Sequence, residues 1–203
     1  MLTGASLYVL SFLLIIISYF IGNVSPSILL SQKLAGKDIR ELGSGNAGTT
    51  NVLRNFGKQA AATTLLIDAC KGIPSVLLGN WIGGENLALL CGFAVIVGHI
   101  WPVIYGLKGG KGVATTLGVA IVLAPWNTLW CVIVGLLLMI LFRRVSLGSL
   151  VGILVFPISA VILHQSIFMI LWGIAVTLII WYKHRENIRR LLQGREPRIH
   201  FKK

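Results

Sequence analysis

Three stretches of this 203-residue chain carry the residue types that bind phosphate. The first is Gly43-Ser44-Gly45-Asn46-Ala47-Gly48-Thr49-Thr50-Asn51-Val52-Leu53-Arg54. Its glycines permit positive φ and close approach of backbone to a ligand. Successive N–H groups in such a loop form a nest for an anion. Gly43, Gly45, Ser44, Asn46, Thr50 and Asn51 are candidate binding residues, and Arg54 can hold a phosphate through two parallel hydrogen bonds. A plain polar linker has no need of so many Asn and Thr residues and an Arg at tight spacing. The second stretch is Lys108-Gly109-Gly110-Lys111-Gly112-Val113-Ala114-Thr115. Gly110 and Gly112 flank Lys111 just before an apolar run, so the N–H groups of a helix start and a full positive charge act together. The stretch resembles the tail of a P-loop but lacks its leading glycine and spacing, which rejects nucleotide binding. An ordinary basic turn is the competing reading. The third is His184-Arg185-Glu186-Asn187-Ile188, followed by Arg189 and Arg190. A basic membrane anchor accounts for Arg190, Arg195, Arg198, Lys202 and Lys203. It does not account for His184 or Asn187.

Smaller features surround these. His99 stands alone within an apolar run, where a titratable group is either a packing residue or part of a site. Asp68 and Lys71 are three apart and can meet on one helix face, most simply as a structural ion pair. Arg143-Arg144 reads as topology, and Ser146 behind them lies at the end of a span. Cys70, Cys91 and Cys131 are isolated in apolar runs and show neither disulfide nor metal-ligand spacing. No clustered metal ligands occur, so no metal is expected.

The elements that must position these loops are membrane helices. Apolar residues make up 56% of the chain and charged residues only 12%, against about a quarter charged in a soluble domain. Apolar runs cover approximately Leu7–Leu30, Gln59–Trp81, Leu87–Leu107, Gly112–Ala124, Asn127–Phe142, Leu147–Leu163 and Ile167–Tyr182. Of the 18 Lys and Arg residues, all but Lys71 fall in every second gap between the runs. The gaps Met1–Ser6, Gly83–Asn86, Pro125–Trp126 and His164–Ser166 carry only Glu85. This positive-inside alternation predicts an all-α, polytopic membrane protein with seven transmembrane helices, its N-terminus outside and its C-terminus cytoplasmic. The chain reads as a single membrane domain over 1–203, with the basic tail 183–203 included. The Gly112–Ala124 run is short for a crossing. It starts early, dips in as a broken segment, or sits inside the bundle. Gly22–Ser27 should interrupt the first span. Ile188, Leu191 and Leu192 recur at helical spacing, with Gly194 a stop, and predict a helix beyond the last span. Trp81, Trp101, Trp126, Trp130 and Trp181 are expected as interfacial belt residues. The +12 net charge is dispersed over membrane-flanking loops, which favours lipid headgroups and argues against nucleic acid as a partner.

Two glycine-rich loops with Arg54, Lys111 and Arg185 exceed what one phosphate needs. They suggest two phosphate-bearing ligands, or one with a leaving phosphate, gathered in one site at the cytoplasmic membrane surface, with the apolar bundle receiving an acyl chain. In these residues the chain resembles the bacterial acyl-phosphate:glycerol-3-phosphate acyltransferase family. The resemblance runs nearly full length and rests on Gly43–Arg54, on Gly98-His99 through Pro102 to Lys108–Thr115, and on His184–Glu196, with Asp68–Gly72 and Pro74 also fitting. Thr49 stands where the family commonly has Ala, and Gly22–Pro26 departs from its usual Gly-Ser-Ile-Pro.

The resemblance implies transfer of a fatty acyl group from acyl-phosphate to the sn-1 hydroxyl of glycerol 3-phosphate. Lysophosphatidic acid and inorganic phosphate are the products, and the step begins phospholipid synthesis in the inner (cytoplasmic) membrane. It implies no acyl-CoA, no acyl carrier protein and no HX4D motif; none occurs here, since Ile104 and Arg189 stand five places after His99 and His184. Membrane lipid and the enzyme supplying acyl-phosphate are the implied neighbours. Ser44, Arg54, Lys111, Ser146, His184 and Asn187 match family positions that bind the substrates. Lys111 and Arg54 are expected to grip phosphate, and Ser44 and Asn187 to donate at the reacting centre. His99 orients the site or accepts a proton; the departing phosphate is the other candidate base. The competing readings are an organic-phosphate transporter, which suits broken helices and buried charges, and a lipid-binding structural protein.

Overall fold

The computed structural model describes residues 4–199. The start of the first outer gap, residues 1–3, and the tail from residue 200, including Lys202 and Lys203, lie outside the described residues. All elements among the described residues are helical: α1 (Gly4–Asn23), α2 (Pro26–Ala35), α3 (Thr49–Cys70), α4 (Ile73–Ile100), α5 (Val113–Leu123), α6 (Pro125–Phe142), α7 (Val145–Ile162), α8 (Ile167–Lys183) and α9 (Arg185–Leu192), with 3-10 turns at Ile39–Glu41 and Val103–Tyr105. The chain divides into two compact units, one up to Leu123 and one from Ala124 onward.

In the first unit the expected interruption separates α1 from α2. Asn23 closes α1 by donating its side-chain amide to Tyr19 O at 2.7 Å. Ser25 is extended, and Pro26 opens α2, where its missing N–H costs nothing. Lys71 and Gly72 keep right-handed helical dihedrals between α3 and α4. The Gln59–Trp81 run is therefore nearly continuous, with Pro74 in the first turn of α4.

Helix α4 is a hairpin. Gly83 and Gly84 leave helical geometry, Gly84 at φ +69°. A Cβ built on Gly79 would lie 2.9 Å from Ala88 Cα, and one on Gly72 would lie 3.6 Å from Val95 Cγ1. In a straight helix these pairs would be separated by about 14 Å and 35 Å at 1.5 Å per residue. The Gly83–Asn86 gap is thus a turn between antiparallel arms. The second arm crosses α1 where Gly22 and Gly98 meet, with a Gly22 Cβ only 2.9 Å from Gly98 Cα; close backbone approach of this kind is how membrane helices gain packing. Helix α5 spans 11 residues and buries Thr115, Thr116, Gly118, Val119 and Ala120. Of the three fates expected for its run, burial inside the bundle is the one observed.

In the second unit α6 and α7 cross at Gly135, Gly148 and Gly152; a Cβ on Gly152 would stand 2.9 Å from Cys131 O and 3.2 Å from Gly135 Cα. Helix α8 packs on α7 through the Phe156 and Trp172 rings, 5.4 Å between centroids. Thr177 Oγ1 also donates to Ile153 O at 3.3 Å. Trp181, expected as a belt residue, gives its indole N–H to Leu150 O at 3.1 Å and so ties the same two helices. A 66° bend separates α8 from α9. The predicted tail helix is therefore a separate element, and Gly194 ends it at φ +70°.

By length and apolar composition alone, four stretches qualify to cross a membrane, or five if α8 and α9 count as one broken span. One of the four, Thr49–Tyr105, is 57 residues long and contains the α4 hairpin.

Candidate active site

Asn51 builds the first loop. Its side chain is buried to 1% exposure at the start of α3. The amide nitrogen donates to Ile39 O, Leu42 O and Asn46 O at 2.9–3.1 Å. Its Oδ1 accepts from Ser44 N at 3.0 Å and Asn55 Nδ2 at 3.1 Å. Gly43 and Gly45 take positive φ, +55° and +70°, which lets the chain fold round this amide. Gly43 also has no room for a side chain, because a Cβ would meet the Asn55 amide at 2.8 Å. The loop is thus held from within, while Gly43, Ser44, Gly45 and Arg54 are exposed and Asn46 and Thr50 half-buried. Sequence reasoning placed Asn51 among the ligand donors; the structure shows it shaping the main chain.

Arg40 fastens this loop to the next. Its guanidinium grips Asp38 at 2.7–3.1 Å and donates from Nη1 to Tyr105 O at 2.7 Å and Lys108 O at 3.2 Å. The Arg40 hydrogen bonds hold the Asp38 carboxyl below the usual carboxylate range, so the pair stays charged at neutral pH. Sequence reasoning counted Arg40 only as a loop cation. The Asp-x-Arg spacing was the available signal.

The Lys108–Gly112 loop lies against His99. Gly109 N donates to Ile100 O and Gly110 N to His99 O, each at 3.2 Å. Gly110 and Gly112 are buried, Lys111 half-buried. A Cβ on Gly110 would collide with His99 Nε2 and stand 2.8 Å from Ala47 O. Only glycine fits where the first loop, the second loop and the imidazole meet.

Behind His99 is a buried polar cluster. Lys71 Nζ donates to Asp68 Oδ1 at 2.8 Å, Gly22 O at 3.0 Å and Val24 O at 2.7 Å. His99 Nδ1 lies 2.9 Å from Lys71 Nζ and 3.2 Å from Asp68 Oδ1. The ion pair anticipated between Asp68 and Lys71 is present, and it also sets the orientation of His99. That 28-residue separation carried no sequence signal.

The third stretch belongs to the second unit, where Glu196 organises it. Its Oε1 accepts from Ser146 Oγ at 2.7 Å and Asn187 Nδ2 at 2.6 Å, and its Oε2 from Arg190 Nε at 2.7 Å. Burial pushes the Glu196 carboxyl up, but these three hydrogen bonds outweigh it and hold it below its ordinary value. His184 is buried at the α8–α9 bend, and its Nδ1 donates to Ile180 O at 2.8 Å. Its lone pair when neutral is then on Nε2. Arg190, assigned to the anchor by sequence, is part of this Glu196 cluster.

A family model described as glycerol-3-phosphate acyltransferase matches residues 12–194. The chain is 41% identical to a glycerol-3-phosphate acyltransferase of Alkaliphilus metalliredigens, over 94% of this chain and 96% of that one. It is 42% identical to one of Clostridioides difficile, over 93% and 95%. A crystal structure of PlsY, an integral membrane glycerol 3-phosphate acyltransferase, in its glycerol 3-phosphate form, superposes with TM-score 0.89 at 35% identity, covering 94% and 96% of the two chains. The lysophosphatidic acid form gives TM-score 0.86 at 33% identity, covering 94% and 95%. With 56% apolar residues and likeness of this extent, the protein is a membrane protein, and it belongs to the PlsY family of glycerol-3-phosphate acyltransferases.

Proposed function

We propose that the chain transfers a fatty acyl group from acyl-phosphate to the sn-1 hydroxyl of glycerol 3-phosphate. The hydroxyl oxygen forms a bond to the acyl carbon, and the bond from that carbon to the phosphate oxygen breaks. The hydroxyl proton leaves with the phosphate or on His99. Lysophosphatidic acid and inorganic phosphate result. An acyl-phosphate is already an activated mixed anhydride, so the protein need supply only position and charge. No metal or cofactor has a part in this reading.

The observation that carries it is the meeting of the two glycine-rich loops at His99, fastened by Arg40, in a chain of this family. Lys111 on the second loop and Arg54 on α3 just behind the first are the phosphate ligands, and Gly43, Gly45, Asn46, Thr50, Gly110 and Gly112 let the main chain approach the ligand closely. Ser44 donates a hydrogen bond to substrate. In the second unit Asn187, set by Glu196, together with His184 and Ser146, supplies substrate contacts. Asn51 contributes by holding the loop.

The proposed setting is a single membrane domain of the inner membrane with seven crossings. Its N-terminus is outside, its C-terminus cytoplasmic and its chemistry at the cytoplasmic face. The positions of the cations support this topology. Acyl-phosphate, glycerol 3-phosphate and membrane lipid are the partners, together with the enzyme that supplies acyl-phosphate.

Purified protein mixed with acyl-phosphate and glycerol 3-phosphate tests the reading. Phosphate release that requires both substrates is the expected result. Counterflow of glycerol 3-phosphate in liposomes without turnover would replace it with transport.

A further inference from the structure

The turn between α6 and α7 holds cations that the proposed reaction does not use. A cavity of about 340 Å³ opens there, lined by Leu141, Phe142, Arg143, Arg144 and Arg198. Its volume is in the range of small-ligand sites. None of Ser146, His184, Asn187 or Glu196 lines it.

Three guanidiniums round one cavity repel one another unless an anion offsets them. Among the described residues no ion pair involves Arg143, Arg144 or Arg198. The nearby carboxylate, Glu196, is engaged by Ser146, Asn187 and Arg190. Arg144 Nη2 reaches Gly194 O at 3.4 Å, and its Nε is shielded with no hydrogen-bond partner, which leaves one donor of the guanidinium unmet. Arg143 adopts φ +53°, a conformation that side chains other than glycine avoid. Its carbonyl accepts from Ile199 N at 2.7 Å, which fastens the tail carrying Arg198 to the turn. Backbone strain beside uncompensated charge is the pattern of a ligand clamp.

The lining also selects the anion. Leu141 and Phe142 are 65% and 52% exposed, so apolar surface ends where the guanidiniums begin. A ligand with an anionic head and an apolar tail matches both halves of the cavity; a free anion matches one. A phosphodiester lipid brings one negative charge, whereas a phosphomonoester approaches two at neutral pH and suits several guanidiniums with paired hydrogen bonds. We propose that Arg143, Arg144 and Arg198 form a binding site for the headgroup of a phosphomonoester lipid, separate from the reacting centre. The product of the proposed reaction is one member of that class, but the site does not depend on the reaction.

The test uses the full chain in phosphatidylcholine nanodiscs, with binding of a fluorescent phosphatidic acid measured for the wild type and for Arg143→Gln/Arg198→Gln. Arg144 is left in place to keep its bond to Gly194. The double variant should bind phosphatidic acid about tenfold more weakly and lose any preference over phosphatidylglycerol. Lys33→Gln/Lys37→Gln, which removes the same charge elsewhere, should change binding less than about twofold. Equal binding by wild type and double variant would overturn the site. Equal affinity of the wild type for phosphatidylglycerol would reduce it to surface charge and overturn it too. Displacement by inorganic phosphate at the same concentration would overturn the lipid assignment. A raised KM for glycerol 3-phosphate with unchanged lipid binding would return the arginines to the reacting centre and overturn their separation from it. If the double variant does not fold, Arg198→Gln alone, on an exposed residue, carries the same arms.

Discussion

Asn51 and Arg40 in the first unit use their side chains to hold main chain, whereas Ser146, Asn187 and Arg190 in the second direct theirs at one carboxylate. The outcome differs accordingly. The first arrangement leaves Ser44 exposed on a stiffened loop and Arg54 exposed near the start of α3. The second buries Ser146, Asn187 and Glu196 together. Polar residues of the same kinds thus do two jobs: in one region the bonded residues form the frame for others, and in the other the candidate ligands are themselves part of the frame. A substitution in the second region should therefore affect folding and turnover together, while the first region allows the two to be separated.

The largest effect expected is at Glu196. Replacing it with Ala removes the acceptor of three donors at a 7% exposed site and should cost about 3 kcal/mol of stability, read as a fall in the thermal midpoint along with lost turnover. An unchanged midpoint would mean that the carboxylate is not a hub. Asn51→Ala comes next. It removes the centre of the first loop for about 2 kcal/mol, and hydrogen exchange should quicken across residues 39–55 while α6–α8 keep their protection. Uniform exchange through the chain would break the contrast between the regions. The smallest effect concerns acid. Glu196 is held below its ordinary value of 4.5, so its contribution is complete above that pH and is lost as pH falls through the lower folded value. Wild-type stability should drop in that acid window, and Glu196→Gln should be less stable at pH 7 and flatter below 4.5. A parallel decline in both proteins would deny the carboxylate this role.

The contrast also explains what was legible beforehand. Helices, the break before Pro26, the turn at Gly83-Gly84 and the stop at Gly194 are local properties of apolar runs, Pro and Gly, and they stand in the sequence. The Asp68–Lys71 pair was legible because both residues sit on one helix face. His99 joining it was not, since only the fold brings α4 back past Lys71. Asn51 looked like any loop donor, because sequence names a donor but not its acceptor. Glu196 and Arg190 lay in a tail whose charge pattern suits a solvated anchor equally well. The Thr49–Tyr105 stretch is the reverse case: composition and helix assignment run it together, and packing distances at Gly72 and Gly79 divide it.

The central claim is that phosphate is gripped by Arg54 on α3 and Lys111 on the second loop, where the two glycine-rich loops meet at His99. Steady-state kinetics of Lys111→Ala with acyl-phosphate and glycerol 3-phosphate, alongside its thermal midpoint, tests this most directly. The account predicts kcat/KM lowered by about a hundredfold or more with the midpoint near wild type. Wild-type kinetics, or a loss of activity that merely follows a loss of folding, would contradict it.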